Sequence, residues 1–426
     1  MADFDIECFQ NEFLPAGGTL MNAVITVTAR GTSSAAGQEG YGPDSQQRAE
    51  VLILDTSGSM KGSKLAAAKV AAATAIDCLP DGVRFAVIAG NHEAHVAYPA
   101  SWPLTAATTT SRDEAKDALR RLDARGGTAI GSWIALTTQL LRGETGIRHA
   151  ILLTDGKNES ESRDELDRAL AQAEGVFQCD CRGVGSDFEV AELMTIANAL
   201  LGTQDIVPDP ADLRADFASM MQSSLSKQVG AVTLRVWTPQ GGRVVVLKQM
   251  EPVVDLSGAR VEVSELVGEY PTGPWGDESR DYHLSVRVPP GEIVDEKMAA
   301  ARVTLVVDGE PAGQTPVLAT WTDDVALSTR LNRRVAEVMN QTVLADAIQR
   351  GVDALRANDT KTATDELGLA VQLAHESDNS EVVERLSKLV DVEDPATGRV
   401  RPKAKVEQVD VMIAESRSVR TERTGR

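Results

Sequence analysis

Between residues 48 and 228 the chain alternates short apolar runs with longer helical stretches, and few folds accommodate that order. The runs are 50–54, 83–89, 150–153, 177–184 and 205–207. The helical stretches are 64–79, 111–122, 131–142, 162–174, 188–201 and 211–227. Runs such as Val51-Leu52-Ile53-Leu54 and Ile151-Leu152-Leu153 are continuously apolar, as strands buried on both faces are. They predict an α/β domain over 48–228: a doubly wound, mostly parallel sheet flanked by helices. Such sheets gather ligands at the carboxyl ends of their strands, near the point where strand order reverses.

The flanks have a different rhythm. Residues 4–14 and 20–30 read as two strands joined by the turn Pro15-Ala16-Gly17-Gly18, and 31–45 as a mobile linker or long loop rich in Gly, Ser, Ala and Pro. After 229 strands return without helices, at 231–237, 243–249, 260–265, 283–288 and 301–307, as in an all-β sandwich. The N-terminal strands have no partners in the α/β region, so residues 1–47 and 229–323 are expected to share one sandwich into which 48–228 is inserted. A helical segment follows over 324–392, broken at Asn358-Asp359 and Asp378-Asn379. The remainder, 393–426, reads as a basic tail, with eight Lys and Arg against four acidic residues over 399–426.

Charge narrows the partners. A formal net charge of −20 repels phosphate backbones and anionic bilayers, so nucleic-acid binding is not expected. No run approaches the ~18 apolar residues of a membrane span. The N-terminus Met-Ala-Asp-Phe-Asp has neither a basic nor an apolar leader segment. Cysteines at 8, 78, 179 and 181 form no disulfide framework in a chain of 426 residues; Cys179 and Cys181, on one face of a strand, read as buried free thiols. A cytoplasmic protein is expected.

The chemistry concentrates on three loops. The 50–54 strand runs into Asp55-Thr56-Ser57-Gly58-Ser59, where two hydroxyls at i and i+2 can point to one side of a turn above a carboxylate. Arg125-Gly126-Gly127-Thr128 offers a third hydroxyl before a helix, and the 150–153 strand delivers Thr154-Asp155-Gly156. Hydroxyl and carboxylate oxygens suit a hard divalent cation, and Mg²⁺ in an octahedral site that keeps several waters.

Asp55, Ser57, Ser59, Thr128 and Asp155 together resemble the metal-ion-dependent adhesion site of the von Willebrand factor A family, Asp-x-Ser-x-Ser, then Thr, then Asp, with no departure. The resemblance covers roughly 48–228. It implies Mg²⁺, with Mn²⁺ as the alternative, touched directly by Ser57, Ser59 and Thr128, with Asp55 and Asp155 acting through water. Neutral hydroxyls would leave the cation poorly neutralised and open to an Asp or Glu from a protein partner. The implied function is metal-dependent protein binding, as a scaffold or adaptor. The alternative is an accessory subunit of an AAA+ ATPase or of a stress-response or phospho-signalling complex.

Other chemistries fit less well. An aspartyl phosphotransfer loop needs a second Asp where Ser57 stands, Gly58–Lys64 lacks the ending of a phosphate loop, and Gly183-Val184-Gly185 lacks the third glycine of a dinucleotide fingerprint. His92 and His95 read as surface residues near a hairpin tip. No nucleophile has an evident His partner, so an enzyme is not expected. The Tyr270–Tyr282 stretch, with two Tyr and a Trp, reads as a loop packed by its own aromatics or, alternatively, as a second contact surface.

Overall fold

The computed structural model describes residues 2–32, 48–101, 103–291, 297–403 and 405–418. The expected linker lies outside them from residue 33 on. The described chain forms two compact units. One holds Arg30–Gly230 together with Gly273–Asp277; the other holds Asp3–Ala29, Ala231–Thr272 and Glu278 onward.

In the first unit the strand order is Gln204–Val207, Gln178–Val184, Ile147–Thr154, Arg48–Asp55, Arg84–Gly90 and Ala94–Tyr98, with Thr105–Ala106 also paired to Arg84–Gly90. The first five are mutually parallel, as the apolar runs predict. The last two pairings are antiparallel: that with Ala94–Tyr98 closes a hairpin whose tip is at His92, as the sequence suggests, and that with Thr105–Ala106 is additional. Ala94–Tyr98 is only partly buried, so it lacks the apolar run that marks the interior strands.

From the central strand Arg48–Asp55 the chain passes first to Arg84–Gly90 on one side and later to Ile147–Thr154 on the other. The order therefore reverses between two adjacent strands, Arg48–Asp55 and Ile147–Thr154, and a ligand site is expected at their carboxyl ends.

Helices Ser63–Cys78, Thr109–Arg121 and Leu213–Ser226 share a core with Leu52, Leu54, Phe85, Val87, Ile151 and Leu153 on one face. Ala68, Ala71, Ala72 and Ala75 of the first helix are fully buried, and side chains that small let it lie close to the sheet. Two of the helix starts are written locally. Thr108 with Ser111, and Ser162 with Glu165, form reciprocal capping boxes.

Toward the amino ends of the strands lies a buried charge network. His149 bridges Glu50 (2.7 Å) and Asp180 (3.0 Å) on the flanking strands. Glu50 accepts from Ser224 at 2.8 Å, and Arg48 donates to the carbonyls of Ser224 and Lys227 at 2.8 and 2.6 Å. The end of helix Leu213–Ser226 is thereby tied to the central strand. Burial works to lower the His149 pKa, but the Glu50 charge and the Asp180 hydrogen bond outweigh it and push it up to about 10. Asp180 is correspondingly held well below the usual carboxylate range, since its pairing with His149 overcomes burial.

The second unit contains two large sheets, ordered Asp3–Gln10, Leu20–Arg30, Glu278–Arg287, Arg243–Met250, Val253–Asp255, and Val261–Ser264, Val267–Pro271, Val232–Trp237, Lys297–Val307, Glu310–Thr322, Phe13–Pro15, and a small two-stranded one, Val390–Asp394 with Arg399–Pro402. Residues 4–14 are thus not one strand: Asp3–Gln10 and Phe13–Pro15 belong to different sheets, the latter parallel to Glu310–Thr322. Strand Glu310–Thr322 was missed because Pro311, Gly313 and Pro316 break its pattern, although Asp308-Gly309, both at positive φ, marks the hairpin before it.

Strand Leu20–Arg30 is buried on both faces because helix Arg333–Arg356 covers it, placing Val335 and Val338 against Val24. Arg334 pairs with Asp281, which also accepts from Thr26 at 2.6 Å. The helical breaks fall as expected: Asn358 and Asp378 take positive φ, while Asp359 and Asn379 cap the next helices Thr360–Glu376 and Ser380–Leu386.

The basic tail needs correction. Through Ser418 it is folded, as strand Arg399–Pro402 paired to Val390–Asp394 and as helix Gln408–Ser418. Met412 and Ala414 are buried there, and the buried Glu415 accepts from Nη1 and Nη2 of Arg356 at 3.1 and 2.5 Å. Counting net charge concealed an amphipathic helix.

Two outcomes follow for stability. Arg356→Ala strands the Glu415 carboxylate and should cost about 3 kcal/mol, measured by denaturant unfolding; an unchanged midpoint would mean that the Arg356–Glu415 pair does not hold helix Gln408–Ser418 in place. For His149 the folded pKa lies above the unfolded one, so its stabilisation is complete below about pH 6.5 and is lost as pH rises toward about 10. His149→Gln should therefore be well below wild type in stability at pH 7, with the gap narrowing by pH 10. A gap independent of pH would show that the folded imidazole is neutral.

Candidate functional site

Asp55 ends the central strand and Asp155 follows Ile147–Thr154, so parallel register alone brings two carboxylates to adjacent strand ends. Both are fully buried. Two like charges in that position need compensation, and every oxygen of both carboxylates accepts from a donor. Asp55 accepts from the Ser57 backbone N–H at 2.7 Å and from Thr154 Oγ1 at 2.5 Å. Asp155 accepts from Ser59 Oγ at 2.6 Å and from Lys64 Nζ at 2.5 Å. Burial pushes the Asp55 carboxyl up, the hydrogen bonds from Ser57 and Thr154 pull against it, and the Asp155 charge adds to the rise.

The hydroxyls converge. Ser57 and Ser59 lie 2.9 Å apart, on the turn that leads through Gly58–Met60 into helix Ser63–Cys78. A Cβ placed on Gly156 would sit 3.2 Å from Ser59 Oγ, 3.2 Å from Thr128 Oγ1 and 3.9 Å from Asp55 Oδ2. The three loops therefore face one small space, lined by oxygen and left open because residue 156 has no side chain.

Backbone bonds lock the loops together. Gly58 N donates to Gly126 O at 2.9 Å and Arg125 N to Thr56 O at 2.7 Å. Thr128 and Ser160 exchange two bonds, at 2.9 and 3.1 Å. Gly126 turns at φ +79° with the His92 ring against it, so a side chain there would meet both strain and collision. His92 is exposed, as expected for a surface histidine, but it stands beside the 125–128 loop. Only the sheet order brings these segments together.

All five residues expected from the sequence meet here. Two participants were not singled out: Thr154, which bonds Asp55, and Lys64, which bonds Asp155. Thr154 was legible as part of Thr154-Asp155-Gly156; Lys64 carried no signal, because a lysine near a helix start is ordinary in sequence. Among the described residues no group of three His, Cys, Asp or Glu side chains could hold a metal, so a cation at this site would rest on hydroxyls. Three neutral hydroxyls and two carboxylates suit a hard divalent ion, and the space at Gly156 is where such donors point.

The comparisons with known proteins agree with this reading of the fold. The family model described as von Willebrand factor type A domain matches residues 49–206, and that described as von Willebrand factor type A C-terminal domain matches 372–418. A solved von Willebrand factor type A protein from Catenulispora acidiphila is 45% identical, covers 99% of this chain and 97% of its own, and superimposes with a TM-score of 0.92. The chain belongs to the von Willebrand factor type A family. The ArnB paralog VWA2 from Sulfolobus acidocaldarius shares the fold at 15% identity, with 98% of each chain covered and a TM-score of 0.59. An uncharacterized protein of Synechocystis is 31% identical over 174 residues; these are 40% of this chain, which spans only 40% of that relative's length. Among the described residues no helix is long and apolar enough to cross a membrane.

Thr154→Val keeps the shape of the side chain but removes the donor to a buried carboxylate. It should cost about 2 kcal/mol in urea unfolding with EDTA present, and a cost below about 0.5 kcal/mol would show that Asp55 does not depend on that bond.

Proposed function

We propose that this chain is a divalent-cation-dependent protein-binding module, a scaffold or adaptor and not an enzyme, whose site is Asp55, Ser57, Ser59, Thr128 and Asp155. The observation that carries the reading is the shared space at Gly156, with Ser59 and Thr128 hydroxyls 3.2 Å from one point and Asp55 within 4 Å. Membership of the family supports an interaction or metal-site role in general terms. Mg²⁺ is the proposed ion, with Mn²⁺ as a substitute, because every donor is a hard oxygen.

Ser57, Ser59 and Thr128 would hold the ion directly. Asp55 and Asp155 orient those hydroxyls and supply the charge; the Ser59–Asp155 bond at 2.6 Å is such an orienting contact. The bound cation would supply an unfilled coordination position for an Asp or Glu of the partner. Ser59 is exposed whereas Ser57, Thr128 and both carboxylates are buried, so the approach is from the Ser59 side. The net charge of −20 disfavours acidic partners at long range, which makes recognition depend on the local cation.

The test is retention of partner proteins by wild type and by Asp55→Ala/Asp155→Ala, each in Mg²⁺ and in EDTA. A protein held only by wild type in Mg²⁺ is the expected outcome. Equal retention under all four conditions would reject the reading and move the binding surface away from this site.

A further inference from the structure

Lys64 is the second residue of helix Ser63–Cys78, whose first turn carries no acidic side chain. A cation there opposes the helix macrodipole, so the helix gives no reason for it. What holds it is Asp155: Nζ lies 2.5 Å from Oδ2, with the lysine side chain 23% exposed and the carboxylate 0% exposed. The other oxygen of Asp155 is taken by Ser59. Lys64 therefore already neutralises one of the two carboxylates that a divalent ion would need.

The ammonium already has a second, weaker partner. Asp187 lies 3.4 Å from the same Nζ and is 67% exposed. The lysine end lies beside Gly185, where an added Cβ would sit 3.6 Å from Cε and Nζ.

We propose that Lys64 is a tethered cation that neutralises Asp155 while the divalent ion is absent and moves over to Asp187 when the ion binds. The inference rests on the metal reading above. Displacing a charge that is covalently held lowers the affinity of the site for its ion, and Asp187 recovers part of that loss. The lysine keeps the buried carboxylate pair tolerable in the ion-free protein. It also leaves the charge of the occupied site more positive, and so more attractive to a partner carboxylate.

The test is calorimetric titration of Mn²⁺ into the full chain as wild type, Lys64→Gln, Lys64→Arg, Asp187→Asn and the double variant Lys64→Gln/Asp187→Asn. Lys64→Gln should bind at least about tenfold more tightly, having lost an adjacent positive charge, while its ion-free form melts at a lower temperature. Lys64→Arg should bind like wild type. Asp187→Asn should bind about threefold more weakly, and that effect should vanish in the Lys64→Gln background. Affinity unchanged or weakened by Lys64→Gln, with wild type binding measurable, would overturn the inference and leave Lys64 a structural contact. An Asp187 effect that persists without Lys64 would overturn the transfer step. If Lys64→Gln fails to fold, Asp187→Asn decides: unchanged Mn²⁺ affinity rejects the proposal. Heat from none of the five proteins would instead mean that the metal reading itself is wrong.

Discussion

Two carboxylates, Asp55 and Asp155, are forced together at the ends of adjacent parallel strands and fully buried, and much of the α/β unit is arranged around making that tolerable. Like charges in a poorly solvated position destabilise one another unless each is neutralised or hydrogen-bonded. Here Thr154 and the Ser57 N–H serve Asp55, and Ser59 and Lys64 serve Asp155. The turn at Gly58–Met60, the closeness of the 125–128 loop and the start of helix Ser63–Cys78 all bring those donors into position.

The opposite end of the same sheet solves a similar problem differently. Glu50 and Asp180 are also buried carboxylates, on the two strands that flank Ile147–Thr154, but His149 lies between them and their charges push its pKa up. Nothing is left open, and the network instead secures helix Leu213–Ser226 through Arg48 and Ser224. One end of the sheet is closed by an internal charge. The other is closed only by a lysine that is itself partly exposed and has a second acceptor within reach. Under the proposals above, the difference between a stabilising and a binding arrangement would lie in whether the compensating charge can leave.

The helical segment contributes to the other unit in the same economical way. Helix Arg333–Arg356 covers the outer face of strand Leu20–Arg30, and residues up to Ser418 fold back on it through Arg356 and Glu415. Residues 372–418 match a family model of their own, and that span includes 393–418 of the sequence read as a tail. Eight positive charges suggested a solvated segment, whereas burial of Val400, Met412 and Ala414 depends on only a few apolar positions among them.

By itself the sequence determined the parallel direction of the interior α/β strands, because residues buried on both faces must be apolar throughout. It determined the helix breaks at Asn358 and Asp378, because those residues tolerate positive φ. It also carried the five oxygen-bearing residues, because each stands where a strand ends or a helix begins. Contacts between distant segments were decided by tertiary structure. Helix Ile130–Leu141 starts at Ala129, which cannot cap it; Asn158 and Glu161 from another loop accept from Ile130 and Gly131 instead. Phe13–Pro15 crosses to a different sheet from its neighbours, His92 comes to lie on Gly126, and Lys64 reaches Asp155, 91 residues away. Local pattern reports what a backbone segment prefers and which face it buries. The partner of a charged side chain is set by strand order, which no short stretch of sequence encodes.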